Sequence, residues 1–353
     1  METKYWKVFK DDINHKIIER AAGIISDGGL VAFPTETVYG LGANGLNSQA
    51  VKRIFEAKGR PIDNPLILHV AEAEDVFKLA SQVTEGAQKA INTFWPGPLT
   101  IILPKQKDIP IEVTAGLDTV AIRMPAHPVA LTLIKEAGVP VAAPSANRSG
   151  YPSPTTGQHV YDDLGGRIEA ILDSGFTGVG LESTILDLSG DIPTILRPGG
   201  ITREALSEVL GTVRVDPGLT DLQQKPKAPG MKYTHYSPRA EVVLIKGERE
   251  NVRCKICELV ENYFCMGKKI GLLLTEETWE NIDDKVMLSA TYSKNLGSCL
   301  ALDEIARMLY GELRSCDVAG VDIIFTETYT EKGLGAALMN RLLKSAGYKV
   351  VNV

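Results

Sequence analysis

From Thr212 to Ala240 the chain reads TVRVDPGLTDLQQKPKAPGMKYTHYSPRA, rich in proline, glycine and polar residues and without clear periodicity. A stretch of that length is no ordinary connection inside a compact domain; it is either a spacer or a functional lid. It therefore splits the 353 residues into two folded parts, as expected when single cores rarely grow past roughly 250–300 residues. The run Lys232-Tyr233-Thr234-His235-Tyr236 favours a lid, because spacers are poor in aromatics.

Before the break, helical patterns mix with short apolar runs. HKIIERAAGIISDGG has helical spacing and stops at paired glycines, and NSQAVKRIFEAKG is a second helix capped by Asn47 or Ser48 and ended by Gly59. Strands are expected at Leu66–Val70, Leu99–Leu103, Val120–Met124, Val139–Ala143, Ala170–Asp173, Ser183–Leu188 and Thr194–Arg197, with helices at Pro128–Ala137 and Arg203–Leu210. Several strands are neighbours in sequence, which favours a mixed, twisted sheet over a purely parallel one. After the break, strands at Val242–Ile245, Ile270–Leu274, Val286–Leu288 and Val321–Thr326 alternate with helices at Val252–Tyr263, Leu300–Leu313 and Ala336–Ala346. The expected class is α/β: a mixed-sheet domain over 1–211, a linker or lid over 212–240, and a smaller Rossmann-like domain over 241–353.

A net charge of −6 argues against a chain whose main task is coating nucleic acid, although basic residues can still gather in one cleft. No apolar run reaches the ~18–20 residues that span a bilayer. The opening METKYWKVFKDDINHK lacks the apolar core of a signal peptide, so the expectation is a cytoplasmic protein. All five cysteines lie in the last third. Cys254 and Cys257 form a CxxC, but within a helical pattern, where positions three apart share a face and no second pair completes a metal site. Gly333 and Gly335 in KGLGAALMNRLL read as a helix entry.

The chemistry gathers at the ends of the first part's strands, where open α/β sheets bind ligands. FPTETVYGLG follows an apolar run and brings hydroxyls and glycines to a strand end; AKGRPIDNPLILHV places Lys58, Arg60 and Asn64 in a loop and His69 at a strand end. LDTVAIRMPAHP sets Arg123 inside an apolar strand, with Thr119 before it. A buried arginine requires an anionic partner, either a carboxylate or a ligand. PVAAPSANRSGYPSPT adds Ser145, Asn147, Ser149 and Ser153; GLESTILDL adds Ser183, and ILRPGG adds Arg197. Singly, most such residues satisfy turns or helix ends. Together they equip a site for a polyphosphate and a small carboxylate-bearing substrate. No phosphate-loop, nucleophile-elbow or HExxH signature is present.

PTETVYGLG, KGRPIDNPLILHV, FWPGPLT, VAIRMPAHP, PVAAPSANRSGYPSPT, ESTILDL, ILRPGG and the linker's HYSP together resemble the L-threonylcarbamoyladenylate synthase family in its long form, a YrdC-like domain followed by a second α/β domain. The resemblance implies condensation of L-threonine with bicarbonate and activation of the carbamate by ATP with Mg2+. The products are threonylcarbamoyl-AMP, pyrophosphate and water. The adenylate would pass to the tRNA threonylcarbamoyl-transferase machinery, which modifies the adenosine beside the anticodon of tRNAs reading codons that begin with adenine. Direct contact with tRNA is not required.

Carried over by position, Lys58 and Arg60 are the family's catalytic basic pair. Arg60, Asn64, Thr119, Ser145, Asn147, Ser153, Arg197 and Tyr236 match its ATP contacts, and Thr37, His69, Arg123, Ala143 and Ser183 its threonine contacts. No protein side chain is implied as a metal ligand. The resemblance also implies that Arg123 meets the threonine carboxylate and that Gly40 and Gly42 keep a tight turn; because the carbamate is labile, 212–240 is expected to fold over the cleft and exclude water. Two alternatives stand beside it: a carbamoyl-adenylate-forming enzyme, and a module binding tRNA or double-stranded RNA, whose affinity would fall steeply with salt.

Overall fold

The computed structural model describes residues 1–217 and 236–353. The described chain separates into two compact units. The first contains Met1–Ser149 and the chain resuming at Ser153; the second contains the chain up to Val353 and, in addition, Gly150–Pro152.

In the first unit the strands are β1 Lys4–Lys7, β2 Val31–Phe33, β3 Gly40–Asn44, β4 Ile67–His69, β5 Leu99–Pro104, β6 Thr119–Arg123, β7 Val141–Ala142, β8 Ala170–Asp173, β9 Thr184–Asp187, β10 Thr194–Arg197 and β11 Arg214–Val215. They form one sheet in the order β1-β8-β2-β3-β7-β4-β6-β5-β9-β10-β11. Pairing is mixed: β4 runs parallel to β6, and β5 runs antiparallel to β6 and parallel to β9. The sheet continues to Val215, past residue 211, because Arg214 pairs in parallel with Thr194.

One face of this sheet is covered along its middle strands. Leu41, Leu68, Leu99, Ile101, Val120, Ile122 and Leu186 pack there against Ile54 and Phe55 of helix Ser48–Lys58 and Ala87 and Ile91 of helix Glu85–Phe94. On the opposite face, Val31, Phe33, Val141 and Leu172 meet Ile18 and Ile25 of helix His15–Ser26 and Leu133 of helix Pro128–Ala137. Farther along that face, among the described residues, lies a small apolar cluster, Ile67, Ile102, Ala121, Ile185 and Leu196. Side chains alternate across a strand, so His69, Thr119, Arg123, Thr100 and Ser183 share parity with these five. Alternation puts these polar strand-end residues on one face, and the irregularity between Ile195 and Arg197 sets Arg197 level with Ile185 of that face.

FPTETVYGLG departs from expectation in one respect. Gly40 and Gly42 lie in β3, not in a turn, and pair with Phe33 and Val31 of β2. A Cβ on Gly42 would come within 2.8 Å of both the Phe33 ring and Val141 Cγ1. These glycines make room for an aromatic ring between strands, a recognised use of glycine in a sheet.

The second unit carries β12 Glu241–Lys246, β13 Ile270–Leu274, β14 Tyr292–Asn295, β15 Ile323–Glu327 and β16 Val350–Asn352, all parallel, in the order β14-β13-β15-β12-β16. Helix Arg249–Cys265 covers one face through Val252, Ile256 and Val260. The expected strand at Val286–Leu288 is instead part of helix Asp284–Ser289, because Asp283 caps it by accepting from Lys285 N. The strand next to β13 follows that helix, at Tyr292–Asn295. Gly333 has φ +57 and precedes helix Leu334–Ser345, as a helix entry should. All five cysteines are free thiols.

Gly150–Pro152 joins the second unit through its main chain. Gly150 O accepts from Ser237 N at 3.0 Å, and Pro152 O from Arg314 Nη2 at 2.6 Å.

Candidate active site

The site's centre is a row of buried polar side chains on the sheet's less covered face. His69 of β4 is level with Arg123 of β6, and Arg123 with Thr100 of β5. Arg123 is 4% exposed. It donates through Nη2 to Thr37 Oγ1 at 2.9 Å and through Nε to Gly97 O at 3.4 Å. Its anionic partner is a carboxylate, Glu36, at 2.8 Å. Thr100 Oγ1 meets Ser183 Oγ at 2.8 Å. Arg197 then donates to Ser183 O at 3.1 Å and Ser183 Oγ at 3.2 Å. Ala143, just past β7, is buried and tied to Ile67 O through its own N–H at 2.9 Å.

The turn before β3 holds itself. Thr35 Oγ1 accepts from Thr37 N and Val38 N, and lies 2.8 Å from Thr37 Oγ1. Val179 N and Gly180 N donate to the carbonyls of Glu36 and Thr37. Gly97, which supplies the carbonyl for Arg123, sits in FWPGPLT, braced by Trp95 Nε1 donating to Leu99 O at 2.7 Å.

His69 is neutral in the folded chain. Burial, followed by the nearby Arg123 charge, lowers its pKa from 6.5 to about 3. The unfolded chain therefore takes up a proton near pH 6.5 that the folded chain refuses until about pH 3. This contribution to stability is complete above the ordinary imidazole range and is lost as pH falls through that window. His69→Gln should flatten the acid limb of a stability–pH curve by about one proton, ~1.4 kcal/mol per pH unit at most. Urea unfolding at several pH values between the two pKa values checks this.

A second group surrounds the end of helix Ser48–Lys58, capped by Asn47 and closed by Gly59 at φ +62. Lys58 is 3% exposed. Its ammonium donates to Ser145 O, Asn147 O and Asn147 Oδ1, while Ser149 N donates back to Lys58 O. Ser145 Oγ reaches Asn147 Oδ1 at 2.5 Å. Arg60 Nη2 donates to Asn64 O and Pro65 O. Asn64 is 1% exposed, yet neither its amide nitrogen nor its oxygen has a hydrogen-bond partner among the described residues. A buried, unsatisfied amide is costly, and it marks a place where a ligand's polar atoms fit. Ser153 donates to the buried carboxylate of Glu182. Thr119 opens β6, half-buried.

Residues 23–199 match the family model described as telomere recombination (Sua5, YciO and YrdC), and residues 201–347 match the C-terminal domain of threonylcarbamoyl-AMP synthase. The threonylcarbamoyl-AMP synthase of Bacillus subtilis is 49% identical over 99% of this chain and 100% of its own. That of Pyrococcus abyssi is 50% identical over 95% and 96%. The chain belongs to the threonylcarbamoyl-AMP synthase family. A crystal structure of P. abyssi Sua5 complexed with L-threonine superposes with TM-score 0.94 at 49% identity, covering 99% of this chain and 100% of that one. Both parts of a long-form threonylcarbamoyl-AMP synthase, the mixed-sheet domain and the parallel-sheet domain, are thus present.

Tyr236 is the one expected site residue of the second unit. It is 6% exposed, stacked on Tyr310 with ring centroids 5.4 Å apart and with the Arg341 guanidinium 5.5 Å from its ring. The expected lid residues Lys232, Tyr233, Thr234 and His235 lie outside the described residues. Sequence reading singled out neither Thr100 nor Glu36 nor Glu182. Thr100 could have been found by parity, since it alternates with Leu99 and Ile101 beside Arg123. Glu36 was in plain view inside PTETVYGLG.

Proposed function

We propose that the chain condenses L-threonine, bicarbonate and ATP to threonylcarbamoyl-AMP, pyrophosphate and water. The product supplies the transferase that installs threonylcarbamoyladenosine in tRNA. The observation that carries the reading is the buried polar row Thr37–Arg123–Thr100–Ser183–Arg197 on one sheet face, in a chain that is homologous to synthases over nearly its full length.

Threonine occupies the end of that row near Thr37, His69, Ala143 and Ser183, with Arg123 toward its carboxylate. The neutral imidazole of His69 and the hydroxyls of Thr37 and Ser183 offer partners for the substrate hydroxyl. A site built this way rejects valine strongly, because its own buried polar groups would go unpaired, whereas serine differs by one methyl, worth only ~1–3 kcal/mol. ATP takes the group formed by Arg60, Asn64, Thr119, Ser145, Asn147, Ser153 and Arg197, with Asn64 the amide awaiting a partner. Tyr236 is the remaining member of the proposed ATP set.

No side-chain nucleophile is needed. The carbamate oxygen attacks the α-phosphorus, and Lys58 and Arg60 offset the charge that develops there. Among the described residues no group of three His, Cys, Asp or Glu side chains stands ready to hold a metal; Mg2+ enters with the triphosphate. No helix among the described residues is long and apolar enough to cross a membrane; the proposed place of action is the cytoplasm.

The test is pyrophosphate release from ATP with threonine, valine or serine, with and without bicarbonate. Release should require both threonine and bicarbonate. Release indifferent to threonine would favour a carbamoyl-adenylate enzyme and overturn the proposal.

A further inference from the structure

Both carboxylate oxygens of Glu36 are buried and make no hydrogen bond among the described residues. The side chain stands 2.8 Å from Arg123 Nη2, an ion pair by distance but turned away from hydrogen-bond alignment. Its backbone is fixed, with Val179 N donating to Glu36 O at 2.8 Å and Gly180 N to Thr37 O at 3.1 Å. Arg123 spends Nε on Gly97 O and Nη2 on Thr37 and Glu36; Nη1 makes no hydrogen bond among the described residues. Such a pair is poor value as a stability device, because apolar replacements of buried ion pairs are often as stable.

Its chemistry suits an amino acid. A threonine zwitterion holds an ammonium and a carboxylate on a single carbon, and the site holds a carboxylate and a guanidinium side by side. Resting on the synthase reading above, we infer that Glu36 binds the threonine ammonium beside Arg123 and accepts the proton that the nitrogen sheds on becoming a carbamate. The substrate carboxylate takes the Nη1 side of Arg123.

The step balances. The ammonium loses two protons: one goes to Glu36, and the other leaves with the hydroxyl of bicarbonate as water. A nitrogen–carbon bond forms as the carbon–oxygen bond to that hydroxyl breaks. Threonine ammonium and bicarbonate thus become carbamate, water and one proton held on Glu36. Nothing is oxidised or reduced. The carbamate oxygen is then free to attack ATP, and Glu36 returns its proton to water before the next turnover.

The experiment compares two directions of reaction in the full chain carrying Glu36→Gln, which keeps the volume and removes the proton acceptor. The forward assay is pyrophosphate release dependent on threonine and bicarbonate. The reverse assay is ATP formation from threonylcarbamoyl-AMP and pyrophosphate, in which the nitrogen is already acylated and has no proton to surrender. Forward kcat/KM for threonine should fall about 100-fold while the reverse rate falls no more than a few-fold and KM for ATP stays within about twofold. Glu36→Asp, with its carboxylate retained, should recover part of the forward rate. An unchanged forward rate, or equal losses in both directions, overturns the role. Should Glu36→Gln fail to fold, Glu36→Asp carries the same comparison: a larger forward than reverse loss supports the role, and equal losses overturn it. A native chain inactive in both directions would instead overturn the synthase reading itself.

Discussion

Arg123→Met should lower folding stability by about 3–5 kcal/mol, because it strands a buried charge that had a partner, and should also remove threonine-dependent turnover. Arg123 is 4% exposed and holds together three things: the Thr37 hydroxyl, the Gly97 carbonyl and the Glu36 carboxylate. Methionine fills comparable space but leaves Glu36 without its counter-charge. The double variant Arg123→Met with Glu36→Gln should therefore regain much of the stability lost by the single change, a non-additivity expected for two members of one buried pair. It should regain none of the activity. Urea unfolding of both single variants and the double variant measures the coupling. A loss below about 1 kcal/mol for Arg123→Met would mean that the pair behaves as a solvent-screened surface contact.

Lys58→Met should slow adenylate formation by about 100- to 1,000-fold, the usual scale for removing one preorganised positive group from a charge-developing site. The structure gives Lys58 a second duty. Its ammonium gathers the Ser145 and Asn147 carbonyls and the Asn147 side chain, so removing it also frees the loop proposed to hold ATP. Lys58→Arg should not rescue, because a planar fork does not fit a cradle made for a compact ammonium. Single-turnover rates at several ATP concentrations separate the two duties. A rise confined to KM would mean that Lys58 shapes the loop without meeting the transition state.

Much of this architecture is readable in the sequence where the chain speaks locally. Helices Pro128–Ala137 and Arg203–Leu210 have the expected bounds, since glycine follows each and proline or threonine introduces it. Strands β8 and β10 also fall where the apolar runs lie. What the local pattern conceals is of two kinds. Strand β3, GLGAN, has neither β-branched nor aromatic residues; it is a strand because β2 and β7 pair with it, and its glycines leave room for Phe33 and Val141. Val286–Leu288 is apolar and β-branched enough to suggest a strand, but the Asp283 cap decides for a helix. The polar row is legible residue by residue but not as a row. Thr100 and Ser183 are 83 positions apart, and only the β5–β9 pairing brings them together. The charge balance of Arg123 is likewise invisible until the turn bearing Glu36 is placed over β6.

Gly150, Tyr151 and Pro152 have a consequence for how the polypeptide matures. A ribosome delivers them along with the first sheet, whose last strand, β11, follows soon after. Yet Gly150 O and Pro152 O are paired by Ser237 and Arg314, which emerge only later. Domains generally fold as units in the order of synthesis, so the mixed sheet can close while this short segment is still waiting. The interval from Asn147 to Ser153, both proposed ATP contacts, is completed last. A chain ending before Ser237 would thus carry Gly150–Pro152 without the donors that pair the Gly150 and Pro152 carbonyls. Pairing of this segment thus waits on the synthesis of Ser237 and Arg314.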